Sequence, residues 1–397
     1  MKDKICCVVQ RYGLEVNGGA ELHCRQLAER LVPYYDVEVL TSKAVDYMTW
    51  KDEYKHSEEM INGVKVRRFS VDKQRDINEF NQINTMFMLG ALSQEDEQKW
   101  MDAQGPYVPA LIRYIEDHKN DYKVFIFFTY LYYQTVMGMR VVKEKSIIVP
   151  DAHDEPFLRM KIFDEVFKSP KAMFFNTDDE RALVRRKYQN WDIKCQVGGA
   201  GVDLPQSING QRFKEKYQLD RYMVYVGRID EGKNCSQLFR DFLTYKNIFD
   251  SDLKLVLMGK SVIPIPEHPD IIPLGFVDDQ DKFDGICGAE FLVLPSKFES
   301  LSIVVLEAFS LKIPVLVNGE CEVLKSHCIK SNGGLYYTST AAFCETVHYM
   351  ETHKEICESM GELGKQYVDQ YYQWDVVIGK LCELVEYVKE CNHIEEK

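Results

Sequence analysis

Residues 291–309 read Phe-Leu-Val-Leu-Pro-Ser-Lys-Phe-Glu-Ser-Leu-Ser-Ile-Val-Val-Leu-Glu-Ala-Phe. The apolar run Phe291–Leu294 predicts a buried parallel strand, and the apolar segment Ile303–Leu311 predicts a helix packed against it. The polar loop between them ends at a helix start, where unpaired backbone N–H groups can bind an anion. Glu299 lies in this loop and Glu307 on the helix. Ionised carboxylates accept hydrogen bonds from sugar or ribose hydroxyls, although a capping acid and a surface acid would be the simpler interpretation of this pair alone.

Apolar, β-rich runs alternate with helical patterns along the whole chain, which is typical of parallel α/β proteins. The predicted strands are Ile5–Val9, Val37–Leu40, Val64–Phe69, Val124–Phe128, Ile147–Pro150, Ala172–Asn176, Met223–Val226, Lys254–Met258, Ile271–Leu274, Phe291–Leu294 and Val315–Asn318. The series restarts after the glycine-rich stretch Val197–Asp203. We therefore predict two Rossmann-like, doubly wound domains, residues 1–203 and 204–374, with a helical insertion at about 70–118. Ligands of such domains bind beyond the carboxyl ends of the strands, so we expect the site in the cleft where the two domains face each other.

Composition and charge argue against several classes of function. A formal net charge of −13 argues against nucleic acid as a partner. The 12 cysteines are scattered without a CxxC pair, so we expect no metal site. No run approaches the ~20 apolar residues that span a bilayer, and the N-terminus lacks a secretory cleavage site, so we expect a cytoplasmic protein. The cluster Arg181, Arg185, Arg186 and Lys187 could meet an anionic membrane or remain solvated.

Two loops carry groups that bind phosphate. Gly18 and Gly19 precede an amphipathic helix, and paired glycines at a helix start let the backbone approach a diphosphate. Their spacing is not that of a dinucleotide GxGxxG loop, and such glycines often have only a geometric role. Arg228 and Lys233 lie five residues apart after the first strand of the second half, so both can reach one phosphate group. Fixed cations of this kind can neutralise a departing diphosphate without a metal ion.

A histidine follows another predicted strand, in the sequence Val149-Pro-Asp-Ala-His-Asp-Glu-Pro. The imidazole of His153 could bond a sugar hydroxyl or help to move a proton. A single loop histidine is as often an ordinary polar surface group, so the residues alone leave both interpretations open.

Together these motifs resemble the retaining glycosyltransferases of family 4, which have the GT-B fold. The matching motifs of the second half are Val226-Gly-Arg with Lys233-Asn, Leu257-Met-Gly, Gly275-Phe-Val-Asp-Asp, Leu294-Pro-Ser with Glu299, and Glu307-Ala with Pro314-Val. Those of the first half are Gly18-Gly-Ala-Glu, Asn176-Thr with Glu180-Arg, and Gly201-Val-Asp. The resemblance covers nearly the whole chain. It implies that a C-terminal helix, residues 375–397, crosses back to the N-terminal domain.

The resemblance also implies a nucleotide-sugar donor held mainly by the second domain. The donor-binding set carried over from the family is Gly18, Gly19, Arg228, Lys233, Phe276, Val277, Glu299, Ser300, Leu301, Ser302 and Glu307. In this set, Glu307 would bond the ribose hydroxyls and Glu299 the donor sugar. Arg228 and Lys233 would hold the diphosphate, and the base would lie near Phe276.

The catalytic residues implied are Glu299, His153, Arg228 and Lys233, with no metal and no cofactor beyond the donor. His153 would touch the donor sugar, and Glu299 would position it rather than attack it. The expected activity is transfer of a hexosyl group, with retention, to a glycan or lipid-linked acceptor in polysaccharide biosynthesis. Such an acceptor could bring the protein to the inner face of the cell membrane.

Two other classes of function remain open on the sequence. One is a GT-B-like epimerase or phosphorylase that acts on a nucleotide sugar or glycan, although we find no motif for either. The other is a non-catalytic sugar-nucleotide-binding subunit of an assembly. Donor turnover separates the second class from the enzymes. The sequence does not identify the base, the sugar, the acceptor or the linkage.

Overall fold

The computed structural model describes residues 2–16, 18–90 and 93–395. The chain divides into two units. The first contains the chain up to Ala200 and again from Asp375, and the second contains Gly201–Trp374. Each unit has its own twisted sheet with helices packed on it, and each is described separately below.

Within the described ranges, the first unit contains an eight-stranded sheet and the second a six-stranded sheet. The strands are β1 (Lys4–Val8), β2 (Asp36–Ser42), β3 (Glu58–Ile61), β4 (Val64–Phe69), β5 (Val124–Phe128), β6 (Ser146–Val149), β7 (Ala172–Phe175), β8 (Lys194–Val197), β9 (Tyr222–Val226), β10 (Lys254–Met258), β11 (Ile271–Gly275), β12 (Phe291–Leu294), β13 (Val315–Asn318) and β14 (Gly334–Tyr337). Every neighbouring pair is parallel except β3 and β4, which are antiparallel.

Helices connect most of the parallel strands, as parallel pairing requires. The helices are α1 (Gly19–Leu31), α2 (Ile77–Met88), α3 (Gln94–Gln104), α4 (Pro109–His118), α5 (Tyr133–Val142), α6 (Asp164–Lys168), α7 (Asp178–Tyr188), α8 (Gly210–Tyr217), α9 (Cys235–Ile248), α10 (Asp279–Cys287), α11 (Ile303–Ser310), α12 (Glu322–Ser331), α13 (Thr340–Thr352), α14 (Lys354–Tyr371) and α15 (Trp374–Glu395). None of the described helices combines the length and the apolar character needed to cross a bilayer.

The strand order of each sheet reverses at one point. The first sheet runs β3-β4-β2-β1-β5-β6-β7-β8, and the second runs β11-β10-β9-β12-β13-β14. The order therefore reverses between β1 and β5 in the first sheet and between β9 and β12 in the second. Loops at such a reversal separate as they leave the sheet, which opens a crevice at the carboxyl ends of the strands. The loops that carry Arg228 and Glu299 leave the second sheet at this point.

The last helix packs within the first unit from Asp375 onward. Tyr35 donates a hydrogen bond to Glu386 over 2.8 Å, and Lys380 donates to the carbonyl of Val197 over 2.7 Å. Lys389 forms an ion pair of 2.7 Å with Asp3 beside β1. These contacts hold the helix across the amino-terminal part of β1 and the edge strand β8.

All the predicted strands are present in the structure. Three further strands, β3, β8 and β14, were not predicted, and each lies at an edge of its sheet. An edge strand buries less of its surface than a central one, so it lacks the continuous apolar run on which the prediction rests.

Candidate functional site

The loop after β9 begins with a close approach of two backbones. Gly227 and Gly259, after β9 and β10, have φ values of 149° and 146°. A Cβ atom on Gly259 would lie 1.9 Å from the carbonyl oxygen of Gly227. Only glycine fits this approach at position 259.

Asp230 organises the two cations of the β9 loop. Its carboxylate forms an ion pair with Arg228 Nε through Oδ2, and Oδ1 accepts a hydrogen bond of 2.8 Å from the backbone N–H of Lys233. The hydroxyl of Tyr225 also donates to the carbonyl of Arg228 over 2.6 Å. Asp230 was not predicted as a site residue. An acid between two basic residues in a short loop is the signal that would have identified it.

Lys233 and Glu299 lie together across the point where the strand order reverses. Lys233 Nζ is 2.6 Å from Glu299 Oε1, and the two side chains are 31% and 13% exposed. Lys233 comes from the loop after β9 and Glu299 from the loop after β12, so the ion pair joins the two central loops of the second sheet. A negatively charged ligand that binds Lys233 would compete with Glu299 and release its carboxylate for hydroxyl groups.

Glu307 lies on α11 and is buried. Its Oε1 atom is 2.8 Å from Nζ of Lys282 on α10, and Lys282 lies 3.4 Å from Asp279 on the same helix. Burial raises the pKa of Glu307, and the ammonium of Lys282 acts in the opposite direction. Lys282 was not predicted as a site residue, because a single lysine on an amphipathic helix gives no distinctive pattern.

The segment Ser300–Ser302 connects Glu299 to α11. Ser302 precedes the helix in the left-handed conformation, with φ 65° and ψ 76°, which is uncommon for a residue other than glycine. Nε2 of His327 lies 2.8 Å from the carbonyl oxygen of Leu301, and His327 is only 2% exposed. Since a carbonyl only accepts, Nε2 carries the proton. His327, which was not predicted, therefore holds the segment that leads into α11.

His327 should contribute to stability through this hydrogen bond. We expect His327→Phe to lower the free energy of unfolding by about 1–3 kcal/mol, because the buried carbonyl of Leu301 loses its donor. Urea unfolding would measure the change. His348→Phe is the matched control, since His348 stacks on Phe249 with ring centroids 4.3 Å apart and phenylalanine preserves that contact. Equal stability of the two variants would contradict the assignment.

The predicted base-binding residues lie in the loop between β11 and α10. Phe276 is 74% exposed, and it follows Gly275, whose φ is 70°. Val277 is half-buried. Asp278 caps α10 by accepting a hydrogen bond of 2.8 Å from the backbone N–H of Asp281. The structure thus places this loop at the start of the helix that carries Lys282.

In the first unit, Gly18 and Gly19 differ in their surroundings. A Cβ atom on Gly18 would lie 2.0 Å from Oε2 of Glu21, whereas one on Gly19 would meet nothing within 4 Å. Glu21 lies in the first turn of α1 and forms a buried ion pair of 2.6 Å with Arg11. A side chain at Gly18 would therefore displace the carboxylate of Glu21 from its present position, whereas Gly19 leaves open space at the start of α1.

His153 lies in the loop after β6 of the first unit. Its Nε2 atom is 3.5 Å from Oε2 of Glu155, and the imidazole is 30% exposed. Glu155 also accepts a hydrogen bond of 2.6 Å from the hydroxyl of Tyr130. The backbone N–H of Ala152, which precedes His153, donates to the buried carboxylate of Glu180 over 2.6 Å. The main chain at His153 is therefore fixed, while its ring reaches solvent.

The basic cluster on α7 is partly neutralised within the protein. Arg181 forms an ion pair of 2.8 Å with Asp178, one turn earlier. Arg185 donates hydrogen bonds to the carbonyls of Trp191 and Ile193, over 3.2 and 3.3 Å. Arg186 and Lys187 are exposed.

Among the described residues, no group of three or more His, Cys, Asp or Glu side chains is arranged to hold a metal ion.

Comparison with known proteins gives matches in sequence and in fold. Residues 220–350 match the family model described as "Glycosyl transferases group 1". Over 140 residues the chain is 32% identical to the N-acetylgalactosamine-N,N'-diacetylbacillosaminyl-diphospho-undecaprenol 4-alpha-N-acetylgalactosaminyltransferase of Campylobacter jejuni. This alignment covers 32% of this chain and 36% of that protein. The matched part therefore spans about a third of the length of this curated relative.

Solved structures match over nearly the whole chain. Sucrose-phosphate synthase from Thermosynechococcus elongatus aligns with a TM-score of 0.72 and 14% identity, over 98% of this chain and 99% of that one. HepE of Anabaena, solved with UDP and glucose, aligns with a TM-score of 0.71 and 11% identity, over 97% and 100% of the two chains. WaaG, a glycosyltransferase of lipopolysaccharide biosynthesis, aligns with a TM-score of 0.65 and 12% identity, over 97% and 99%. These likenesses confirm the predicted fold class, and the chain has the GT-B fold.

Proposed function

We propose that the protein is a retaining, metal-independent glycosyltransferase of family 4. It would transfer a hexosyl group from a nucleotide-diphosphate sugar to a glycan or lipid-linked acceptor. The observation that carries the proposal is the ion pair of 2.6 Å between Lys233 and Glu299, in the two loops that leave the second sheet at its reversal. In this proposal Lys233 binds phosphate, and the carboxylate of Glu299 beside it binds hydroxyl groups. A nucleotide sugar carries its phosphate groups and its sugar hydroxyls next to each other.

The proposed reaction needs charge stabilisation more than a protein nucleophile. The bond between the anomeric carbon and the diphosphate oxygen breaks, and the acceptor hydroxyl forms its bond on the same face. The proton of that hydroxyl passes to the departing phosphate oxygen. Negative charge grows on the diphosphate during this step, and fixed cations such as Arg228 and Lys233 stabilise it more in the transition state than in the ground state.

Carboxylates would hold the rest of the donor. Glu299, once Lys233 turns to the diphosphate, can accept hydrogen bonds from sugar hydroxyls, and Glu307 can do the same for the ribose. The backbone N–H groups of Ser300–Ser302 lie at the start of α11, where a helix attracts negative charge. In this proposal Phe276 and Val277 lie near the base, Gly18 and Gly19 assist the diphosphate, and His153 contacts the donor sugar.

The relatives support the choice of donor and acceptor. The Campylobacter jejuni protein is named for transfer of an N-acetylgalactosaminyl group to a saccharide on diphospho-undecaprenol. HepE was solved with UDP and glucose. By analogy we propose a nucleoside-diphosphate sugar as the donor and a lipid-linked saccharide as the acceptor. An acceptor of this type would bring a cytoplasmic enzyme to the inner face of the cell membrane.

A ligand screen tests the proposal. UDP, GDP, ADP and their hexose conjugates are added to the protein in EDTA, and the melting temperature is recorded, with the nucleoside monophosphates as matched control ligands. We expect one nucleoside diphosphate to stabilise the protein more than its monophosphate, because Arg228 and Lys233 hold the second phosphate. The corresponding sugar conjugate should then be consumed when lipid-linked saccharide is supplied. Absence of both stabilisation and donor consumption would contradict the proposal.

A further inference from the structure

We propose that Lys282 is a positioning residue for nucleotide binding, which holds the carboxylate of Glu307 ionised and oriented toward the ribose. The inference rests on the proposed function, since it concerns the same donor site. It assigns to α10 a part in recognition that neither the motifs nor the likeness to known proteins provides.

The geometry gives Lys282 direct control of one carboxylate oxygen. Its Nζ atom lies 2.8 Å from Oε1 of Glu307, and the lysine side chain is 20% exposed while that of the glutamate is 11% exposed. The ammonium also lies over the Phe283 ring, 4.3 Å from its centre. Both side chains are thus largely removed from water. The Coulombic attraction between two charges is stronger in such a place than at the surface.

The contact leaves acceptor capacity for a ligand. An ionised carboxylate has about four acceptor positions, and Lys282 fills one of them on Oε1. In the part of the chain that the structure describes, no hydrogen bond to Oε2 of Glu307 is present. Two adjacent ribose hydroxyls can therefore donate to the carboxylate while Lys282 stays in place. The lysine need not move when nucleotide binds.

Charge, rather than packing alone, makes the lysine necessary. Burial favours the protonated form of Glu307, and a protonated carboxyl group makes weaker hydrogen bonds with hydroxyl donors than an ionised one. Two charged groups face Glu307 from α10, namely Lys282, which favours ionisation, and Asp279, which opposes it. Asp279 is 88% exposed, so solvent screens its effect more than that of the lysine. When Lys282 is removed, the two remaining influences on Glu307 are its burial and the negative charge of Asp279, and both favour the protonated carboxyl group.

The expected result follows from this balance. We expect Lys282→Met to weaken the ribose contribution to nucleotide affinity about tenfold at pH 7. The loss should diminish as the pH rises, because Glu307 ionises at a higher pH when its partner is absent. Lys282→Arg, which keeps the positive charge, should retain most of the affinity.

The experiment isolates the ribose contact. Calorimetry measures the affinities of UDP, GDP and ADP, each beside its 2′,3′-dideoxy analogue, between pH 5 and 9 in wild type, Lys282→Met and Lys282→Arg. The ratio of the two affinities reports the hydroxyl–carboxylate contact. Lys216→Met is the matched control. Lys216 lies on α8 and forms an ion pair of 2.5 Å with Asp281 on α10, the helix that carries Lys282. It should leave both the ratio and its pH dependence unchanged.

The outcomes distinguish failure of the inference from failure of the proposed function. A ratio in Lys282→Met that equals the wild-type ratio at every pH would overturn the role of the lysine. A ratio lowered equally at every pH would also overturn it, since loss of packing rather than of charge would then explain the change. Wild-type protein that binds none of UDP, GDP and ADP would contradict the proposed donor itself.

Discussion

Replacement of Lys233 by alanine is expected to lower kcat/KM for the sugar donor by about a hundredfold or more. The lysine is held 2.6 Å from Glu299 by two fixed loops, and Asp230 binds its backbone N–H over 2.8 Å. Because its main chain is already anchored, Lys233 needs only to turn its ammonium from Glu299 to the diphosphate, where it stabilises the charge of the departing group. Alanine at this position also leaves Glu299 without its counter-ion beside the negatively charged donor. Both effects act against the reaction.

Steady-state kinetics of donor consumption, in the presence of acceptor, would measure the effect. Lys297→Ala is the matched control, because Lys297 lies in the same loop as Glu299 and pairs with Glu320 on the surface over 2.8 Å. We expect the control to change kcat/KM by less than about threefold. A thermal melt of both variants separates loss of activity from loss of folding. If Lys233→Ala kept the activity of the control, the proposed phosphate site would be wrong.

The fold could be predicted largely because its central strands are apolar on both faces. In β5, the residues Val124–Phe128 are all buried, and such a run has few interpretations other than a central parallel strand. The edge strand β3 gives no comparable signal, since Glu58, Glu59 and Met60 are exposed and only Ile61 is buried. It also pairs antiparallel with β4, which the alternating pattern of the chain did not predict.

The candidate site shows the same contrast between local and non-local information. Arg228, Lys233 and the two acids form recognisable motifs because each motif is continuous in sequence. Their partners come from elsewhere in the chain. His327 reaches Leu301 from α12, and Lys282 reaches Glu307 from α10. Contacts of this kind depend on how helices pack, which a single sequence does not reveal.

Replacement of Glu307 by alanine should strongly weaken nucleotide binding while leaving the fold intact. The carboxylate is buried on α11 with one oxygen bonded to Lys282, so its remaining acceptor positions are oriented before a ligand arrives. Ribose hydroxyls that enter this place without an acceptor would lose their hydrogen bonds to water and gain none. We expect the affinity for the nucleoside diphosphate to fall about a hundredfold, since two charge-assisted hydrogen bonds are lost.

The fold should tolerate the change because Lys282, the partner of Glu307, can still reach solvent. Lys282 is 20% exposed and already lies 3.4 Å from Asp279, so it can keep a counter-ion near the surface when Glu307 is absent. Asp279→Asn serves as the matched control, because it removes the other acid near Lys282 and should leave nucleotide affinity within about threefold of wild type. Calorimetry and thermal melts of both variants provide the measurement. Wild-type affinity in Glu307→Ala would place the ribose elsewhere, and unfolding of the variant would show that the ion pair with Lys282 supports the fold instead.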